Sequence, residues 1–194
     1  MEKYQLASHN SWTYLPPKKW WMWPLRFTAM CQRVDICEQY QLGVRCFDLR
    51  IKFGKDGRLQ VAHGLMVYDI FEYELLAQLR WMNYHGDCFV RVVHEVRRES
   101  EYTEEAVRLF KKWCHHVESE YDRVGFWNGR NVYDHAVDYH FKLSTTCEEL
   151  YASVREPRII DDWWPWWYAW IHNGKNIKKG TDKQFLMIDF VDMQ

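Results

Sequence analysis

The sequence predicts an α/β domain, and two features of the chain lead to that prediction. Short apolar runs typical of strands alternate with longer amphipathic stretches typical of helices. No internal repeat, low-complexity segment or linker divides the 194 residues, so we expect a single domain over residues 1–194. The alternation favours either a β/α barrel or a doubly wound sheet. No glycine-rich phosphate loop follows the first strand, which disfavours a nucleotide-binding version of the doubly wound sheet.

The strands are predicted from short runs rich in β-branched and apolar residues. In chain order they are Gln5–His9, Val44–Ile51, Leu59–His63, Cys88–Val96, Arg158–Asp161 and Phe185–Val191. A weaker candidate is Arg123–Phe126.

Three helices between these strands have recognisable start signals. Asp69 followed by Glu72 begins the first helix, which Gly86 can end. Its apolar positions are Phe71, Leu75, Leu79 and Met82. Thr103 begins the second, and its apolar positions at helical spacing are Ala106, Phe110, Trp113, Cys114 and Val117. Thr145 and Glu148 form a capping box, which predicts a third helix containing Leu150, Tyr151 and Val154.

Composition excludes several classes of protein. A net charge of −1 argues against a protein whose main role is nucleic-acid binding. No apolar run is long enough to cross a bilayer, and no secretory signal is visible at the N-terminus. We therefore expect a monomer that is cytoplasmic or non-classically exported, with peripheral membrane contact as an option. The six cysteines show no zinc-binding spacing, and reduced thiols are the expectation.

Polar residues end several of the predicted strands. Alternation along Val44–Ile51 places Asp48 and Arg50 on one face, at the strand's C-terminal end. His63 and His9 close two other strands, and Asp189 lies near the end of the last. In a barrel the catalytic groups gather at this end, and the first and last strands are neighbours, so Asp189 can orient His9.

Two histidines and an arginine suit phosphoryl transfer at a diester. A histidine has an unperturbed pKa of about 6.5, so one can act as base and the other as acid near neutral pH. A guanidinium group binds phosphate through two parallel hydrogen bonds. A structural Asp–Arg pair and structural histidines are the simpler interpretation of each residue taken alone.

Together these residues resemble the catalytic X-type domain of the phosphatidylinositol-specific phospholipase C family, especially its bacterial branch. The resemblance covers about the first half of the chain and its last ten or so residues. The segments that carry it are Ala7-Ser-His-Asn-Ser11, Cys31-Gln32, Glu38-Gln39, Gly43-x-Arg-x-x-Asp-x-Arg50, Val61-Ala-His-Gly64 and the closing strand Phe185–Val191. The resemblance implies a distorted, shortened (β/α) TIM-type barrel, since such barrels typically need about 250 residues.

The resemblance also implies a reaction and roles. The inositol 2-hydroxyl attacks phosphorus, giving a cyclic inositol phosphate and diacylglycerol. His9 would be the general base held by Asp189, and His63 the general acid. Arg50 would bind the phosphate with Asp48 fixing it. Asn10 stands where bacterial members carry an Asp that supports the acid.

Departures from the family pattern bear on the metal and the substrate pocket. Calcium-dependent eukaryotic relatives have a second acidic residue where this chain has Arg50, so we expect no metal and no cofactor. His94, rather than Glu95, is our choice for a substrate-binding position on the fourth strand. Asp162 and Trp164 are further candidates for the substrate pocket, because with Asp161 they follow a strand-like segment.

Eight tryptophans lie in two clusters. Trp20, Trp21 and Trp23 follow two lysines and are candidates for contact with a membrane, whereas rings that cover the barrel or form a lid over the site are the simpler interpretation. For the second cluster, residues 163–170, the density of rings favours packing over exposure.

Other functions remain open at the level of sequence. One is a different phosphodiesterase of the same fold, acting on glycerophosphodiesters or resembling sphingomyelinase D. The Asp48-Leu-Arg50 sequence argues against it, because those enzymes resemble metal-dependent ones with acidic pairs. Another is a non-catalytic barrel that binds a phosphorylated ligand.

Overall fold

The computed structural model describes residues 4–96, 98–129, 143, 145, 147, 150–153, 165–176 and 184–193. Its strands are β1 (Gln5–Ser8), β2 (Val44–Phe53), β3 (Leu59–His63), β4 (Met66–Val67), β5 (Phe89–His94), β6 (Gly125–Asn128), β7 (Leu150–Ser153) and β8 (Phe185–Ile188). Its α-helices are α1 (Ile36–Gln41), α2 (Glu72–His85), α3 (Glu104–Glu120) and α4 (Pro165–Asn176). Short 3-10 helices cover Trp20–Thr28, Glu99–Glu101 and Val191–Met193.

Six of the strands form one parallel sheet in the order β7-β8-β1-β2-β5-β6. The first and last strands of the chain are neighbours, as predicted, with Ser8 opposite Ile188. Beyond Arg50, β2 continues to pair antiparallel with β3, which in turn pairs with β4. Over the described residues β6 and β7 do not pair, so the sheet is a mixed, open barrel. Because the strands are parallel, their C-terminal ends meet at one edge.

The helices follow the sequence signals closely. The Thr103 hydroxyl accepts a hydrogen bond from the Ala106 N–H and begins α3, and Gly86 ends α2 in the left-handed conformation. The apolar faces of both helices are buried against the sheet, except that Phe71 precedes α2 and its ring is exposed. The Glu74 carboxylate accepts from the Phe71 N–H and so caps α2.

Two hydrophobic clusters lie on opposite faces of the sheet. The larger one joins the sheet to α2 and α3 and includes Phe47, Leu49 and Ile51. The smaller one consists of Ala7, Cys46, Trp127, Phe185 and Met187. Each of Ala7, Cys46 and Met187 lies two residues before a predicted site residue, so the smaller cluster packs directly beneath the strand ends.

One predicted helix is wrong. The capping-box signal at Thr145 predicts a helix through Leu150, whereas Leu150–Ser153 is strand β7, paired in parallel with β8. Sheet pairing outweighs the local capping preference, as tertiary context often does. The strand predicted at Arg123–Phe126 is shifted to Gly125–Asn128, and the two-residue strand β4 is not predicted. The predicted strand Arg158–Asp161 lies outside the described residues.

Candidate active site

His9 lies just beyond β1 and is held from both sides of its ring. Its Nδ1 lies 2.7 Å from Asp189 Oδ1, at the end of the neighbouring strand β8. Its Nε2 lies 2.8 Å from Arg50 Nη2. A guanidinium can only donate, so Nε2 accepts from Arg50 and Nδ1–H donates to Asp189. This tautomer leaves the basic lone pair of His9 on Nε2.

The strand ends that carry His9 and Asp189 are joined by Gln32. Its amide Nε2 donates to the His9 carbonyl (3.1 Å) and to the Ile188 carbonyl (3.0 Å), and its Oε1 accepts from the Val191 N–H (3.1 Å). Gln32 is fully buried, so these backbone groups have no water to replace it. The buried Asn173 of α4 adds a bond to the Asp189 carbonyl (2.8 Å).

The backbone is strained directly after His9 and directly after Asp189. Asn10 (φ 46°) and Phe190 (φ 49°) directly follow His9 and Asp189, and they are the non-glycine residues with positive φ among those described. Asn tolerates this conformation, but for a bulky Phe it costs about 1–2 kcal/mol. The Phe190 N–H donates to the Cys31 carbonyl (2.7 Å), which helps hold that turn. Such strain clusters at functional sites because the surrounding structure must maintain it.

Asp48 is the fully buried anion at the centre of the site. It accepts from Arg50 Nε (3.0 Å), from the Asn10 N–H (3.1 Å) and from Arg91 Nη1. Burial alone would raise the pKa of Asp48, but the Arg50 and Arg91 guanidinium groups outweigh it and hold that pKa below its usual range. Asp48 therefore stays ionised and fixes the orientation of Arg50.

His63 ends β3, and its ring lies edge-on to that of His9, with the centroids 6.2 Å apart. Its Nδ1 donates to the Ala29 carbonyl (2.9 Å), since a carbonyl can only accept. Burial, with the positive charge of Arg50 added, lowers the pKa of His63 to about 4. At neutral pH His63 is therefore uncharged when nothing is bound.

The structure corrects the choice between His94 and Glu95. His94 stacks on Phe110 of α3, with ring centroids 4.8 Å apart, so it lies on the helix-facing side of the sheet. Glu95 faces the site instead, where its Oε2 lies 3.4 Å from Arg50 Nη1 and its Oε1 accepts from the Gly64 N–H (2.8 Å). The cause is the strand period of two, because Arg91 and Glu95 share one face and His94 has the other.

Asn10 contacts the base rather than the acid in this structure. Its Nδ2 lies 3.1 Å from His9 Nε2 and 3.6 Å from Cys31 Sγ. Cys31 is buried within the site, and its Sγ lies 3.9 Å from His63 Nδ1. The other two predicted pocket residues, Asp162 and Trp164, lie outside the described residues.

The sequence did not predict Arg91 as a member of the site, and it offered Glu95 only as the second choice after His94. Arg91 gave a usable signal, since a charged residue inside an otherwise apolar strand marks the face directed at polar groups, and Glu95 shares that face. Cys31 precedes α1 outside any strand, so strand alternation gave no signal for it, and only the Cys31-Gln32 segment of the family resemblance pointed to it.

An exposed aromatic surface lies near this edge of the sheet, on two adjacent elements. The first is the 3-10 helix Trp20–Thr28, and the second is α4, which packs beside it. The exposed apolar side chains of this aromatic surface are Trp20, Trp21, Trp23, Leu25, Phe27, Trp166, Trp167 and Trp170. The expected packing of the second cluster is wrong for its described tryptophans, Trp166, Trp167 and Trp170, which are all exposed on the helix that begins at Pro165. No described helix has both the length and the apolar character needed to cross a bilayer.

Comparison with known proteins identifies the fold as that of the bacterial phosphatidylinositol-specific phospholipases C, a distorted TIM-type barrel. No family model matches the chain, and no curated protein matches it significantly. Among solved structures, the phosphatidylinositol-specific phospholipase C from Listeria monocytogenes matches with a TM-score of 0.63 and 12% sequence identity, over 98% of this chain and 91% of that one. A double mutant of the Staphylococcus aureus enzyme matches with a TM-score of 0.65 and 12% identity, over 97% of this chain and 86% of that one. At this identity the likeness establishes the fold alone.

Proposed function

We propose that this protein cleaves the phosphodiester bond of phosphatidylinositol or a closely related inositol phospholipid, without a metal ion. The observation that carries the proposal is the convergence of His9, Arg50 and His63 at the strand ends of a fold similar to that of the bacterial phospholipases. A structural Asp–Arg pair alone would not require two histidines beside it.

His9 is suited to be the general base. Its Nδ1–H bond to Asp189 fixes the ring and stabilises the imidazolium that forms when Nε2 takes a proton. Nε2 is the nitrogen next to Arg50, so a hydroxyl adjacent to a phosphate bound there lies within its reach. This arrangement favours attack by a neighbouring substrate hydroxyl, which produces a cyclic phosphate.

His63 is suited to be the general acid only when substrate is bound. Burial and, after it, the positive charge of Arg50 depress its pKa in the free protein, and a phosphodiester anion at Arg50 neutralises the second of these causes. Glu95 acts in the same direction as the substrate anion. The pKa of His63 therefore rises on binding, and its proton goes to the leaving glycerol oxygen.

Arg50 supplies the positive charge that a metal ion would otherwise bring to the phosphate. It is held by Asp48 on one side and Glu95 on the other. Burial alone would lower the pKa of Arg50, but the negative charges of these two carboxylates outweigh it and raise that already high pKa further. Its other contact is with His9, so one nitrogen can turn to the phosphate. The alternative metal-dependent diesterases need acidic pairs at such a position.

The aromatic surface supports a membrane-bound substrate. Lys19 lies 5.3 Å from the centre of the Trp21 ring, and Arg26 lies 5.6 Å from that of Trp23, so cations accompany the rings. This composition fits the interface of an anionic bilayer. Both aromatic elements connect to the site, since Ala29 next to the 3-10 helix binds His63 and Asn173 of α4 binds Asp189.

The test is a panel of vesicles and soluble diesters in excess EDTA, followed by phosphorus NMR. We expect a cyclic inositol phosphate from phosphatidylinositol and no turnover of phosphatidylcholine, sphingomyelin or glycerophosphocholine. Turnover of a choline or glycerol diester instead would replace the proposed substrate. Turnover that requires added calcium or magnesium would refute the metal-free mechanism.

A further inference from the structure

We propose that the site also contains an inhibitory binding position for a soft divalent cation such as Zn²⁺, formed by His9, Cys31 and Asp189. One ligand atom from each of these residues lies within 4.8 Å of the other two, and all three side chains are buried. Thiolate, imidazole and carboxylate are a donor set that zinc prefers. Three protein ligands would leave one tetrahedral position for water.

A second observation points to a ligand at the same place. Asp189 Oδ1 is used by His9, while Asp189 Oδ2 is buried and has no hydrogen-bond partner among the described residues. A buried carboxylate oxygen without a partner costs about 1–3 kcal/mol or more, which coordination to a cation would recover. Donors around zinc lie about 3–4 Å apart, so only small side-chain shifts are needed.

The charges and donor atoms around the proposed cation site determine which cations can bind there. Arg50 contacts His9 Nε2 and disfavours cations held by charge alone. Zn²⁺ binds thiolate and imidazole through strong coordinate bonds, whereas Ca²⁺ and Mg²⁺ prefer oxygen donors. Selectivity for the soft ion therefore follows from Cys31.

Cation binding would inactivate His9 whichever ring nitrogen it uses. At Nε2 the ion takes the basic lone pair directly. At Nδ1 the ion displaces the proton to Nε2, which then cannot accept one from a substrate. In both cases the Cys31 thiol loses its proton to solvent as the sulfur–metal bond forms. The inhibition, though not the binding, rests on the proposed function.

The test uses Co²⁺ as a spectroscopic probe and Zn²⁺ as the inhibitor. We expect one equivalent of Co²⁺ to give a thiolate-to-cobalt charge-transfer band in the wild type. Cys31→Ser should lose the band and bind more than about 100-fold more weakly, since even outer contacts of a metal site are worth 10–100-fold. Cys37→Ser is the matched control, because Cys37 is exposed on α1 away from the site, and it should keep the band.

The activity arm removes metal with EDTA, exchanges the buffer and titrates Zn²⁺. Inhibition of the wild type and Cys37→Ser, with resistance of Cys31→Ser, is the expected result. A cobalt band that survives in Cys31→Ser, or no band in the wild type, would overturn the proposal. A Cys31-dependent band in a protein that hydrolyses no diester would leave the metal site standing and refute only the proposed function.

Discussion

Arg50 links the charged and titratable side chains of the site. It contacts His9, Asp48 and Glu95, and under the proposed function it is the cation that binds the phosphate. Its bonds run in three directions, which a planar guanidinium can provide and a point-like ammonium cannot. The identity of this side chain, and not only its charge, therefore matters.

Arg50→Lys is expected to lower kcat by about 10²–10³-fold, the usual effect of removing a positioned donor to transition-state charge. The fold should persist, because Arg91 still compensates Asp48. Steady-state kinetics on phosphatidylinositol in EDTA would measure the loss. Arg108→Lys, at an exposed pair with Glu105, is the matched control and should retain full activity. An Arg50→Lys enzyme within a few-fold of wild type would contradict the role given to this residue.

A separate prediction concerns His94 and the pH dependence of the free energy of unfolding. Burial against α3 lowers its pKa to about 4 from the unfolded value of about 6.5. The unfolded chain therefore binds more protons between these values, and the stability that is present above pH 6.5 is lost as pH falls toward 4. The shift corresponds to about 3 kcal/mol at most, and His63 acts in the same direction.

Urea unfolding at several pH values between 7 and 4 would measure this slope. His94→Gln should make the free energy of unfolding fall less steeply with decreasing pH. The exposed His116→Gln on α3 should leave the slope as in the wild type. Equal slopes for wild type and His94→Gln would show that His94 is not held neutral by burial.

At the scale of elements, the junction of β1 and β8 depends on Gln32. Gln32→Leu removes the partners of two carbonyls and one N–H at the ends that carry His9 and Asp189. Each buried group left without a partner costs about 1–3 kcal/mol, so we expect a clear loss of stability. Because Gln32 positions the His9–Asp189 pair, kcat should fall at temperatures where the variant is still folded, and KM should change little.

Chemical denaturation and kinetics on the same preparation would separate the two effects. Gln41→Leu, at the exposed end of α1, is the matched control. Loss of stability with an unchanged kcat would limit Gln32 to a structural role.

A further prediction concerns the 3-10 helix Trp20–Thr28 and the binding of the protein to membranes. Replacing Trp20, Trp21 and Trp23 by Ala should weaken binding to phosphatidylinositol vesicles by roughly tenfold for each ring that is buried in the interface. Hydrolysis of a soluble monomeric diester should be unchanged. The matched control replaces Tyr73 and Tyr84 by Ala, since these aromatic rings are also more than half exposed but lie on α2.

Vesicle sedimentation would measure binding, and sedimentation velocity without lipid would report self-association. Equal vesicle binding by both variants would refute the membrane role of the aromatic surface. A wild-type dimer that the tryptophan variant loses would assign the surface to a second copy of the chain instead.

The sequence predicts an element well when the residues that determine it lie within the element itself. Strands β1, β2 and β3 and helices α2 and α3 are predicted within a few residues, because their period and caps are local. Strand β7 is not, because it exists by pairing with β8, and a local capping box pointed the other way. The aromatic surface joins two segments far apart in sequence, so its extent emerges only from packing.

The candidate site divides in the same way. His9, Asp48, Arg50, His63 and Asp189 are found because each ends or lies near the end of a predicted strand, and the structure brings all five together. Their catalytic roles stay predictions. The choice between Glu95 and His94 depended on which face of β5 is directed at the site. The residues at the end of that strand did not indicate the face.

At the scale of the whole molecule, the proposed function depends on the ends of the parallel strands. The open barrel gathers two histidines and an arginine at one edge, and we propose that these groups cleave a diester without a metal. The fold alone does not establish this, since its solved neighbours share only 12% identity with the chain.

The most direct measurement is phosphorus NMR of phosphatidylinositol incubated in excess EDTA with wild type, His9→Ala, His63→Ala and the exposed control His116→Ala. We expect a cyclic inositol phosphate signal from wild type and His116→Ala, and a loss of at least about 10²-fold in both site variants. A cyclic product at undiminished rate from either site variant, or no product from the wild type, would contradict the proposed function.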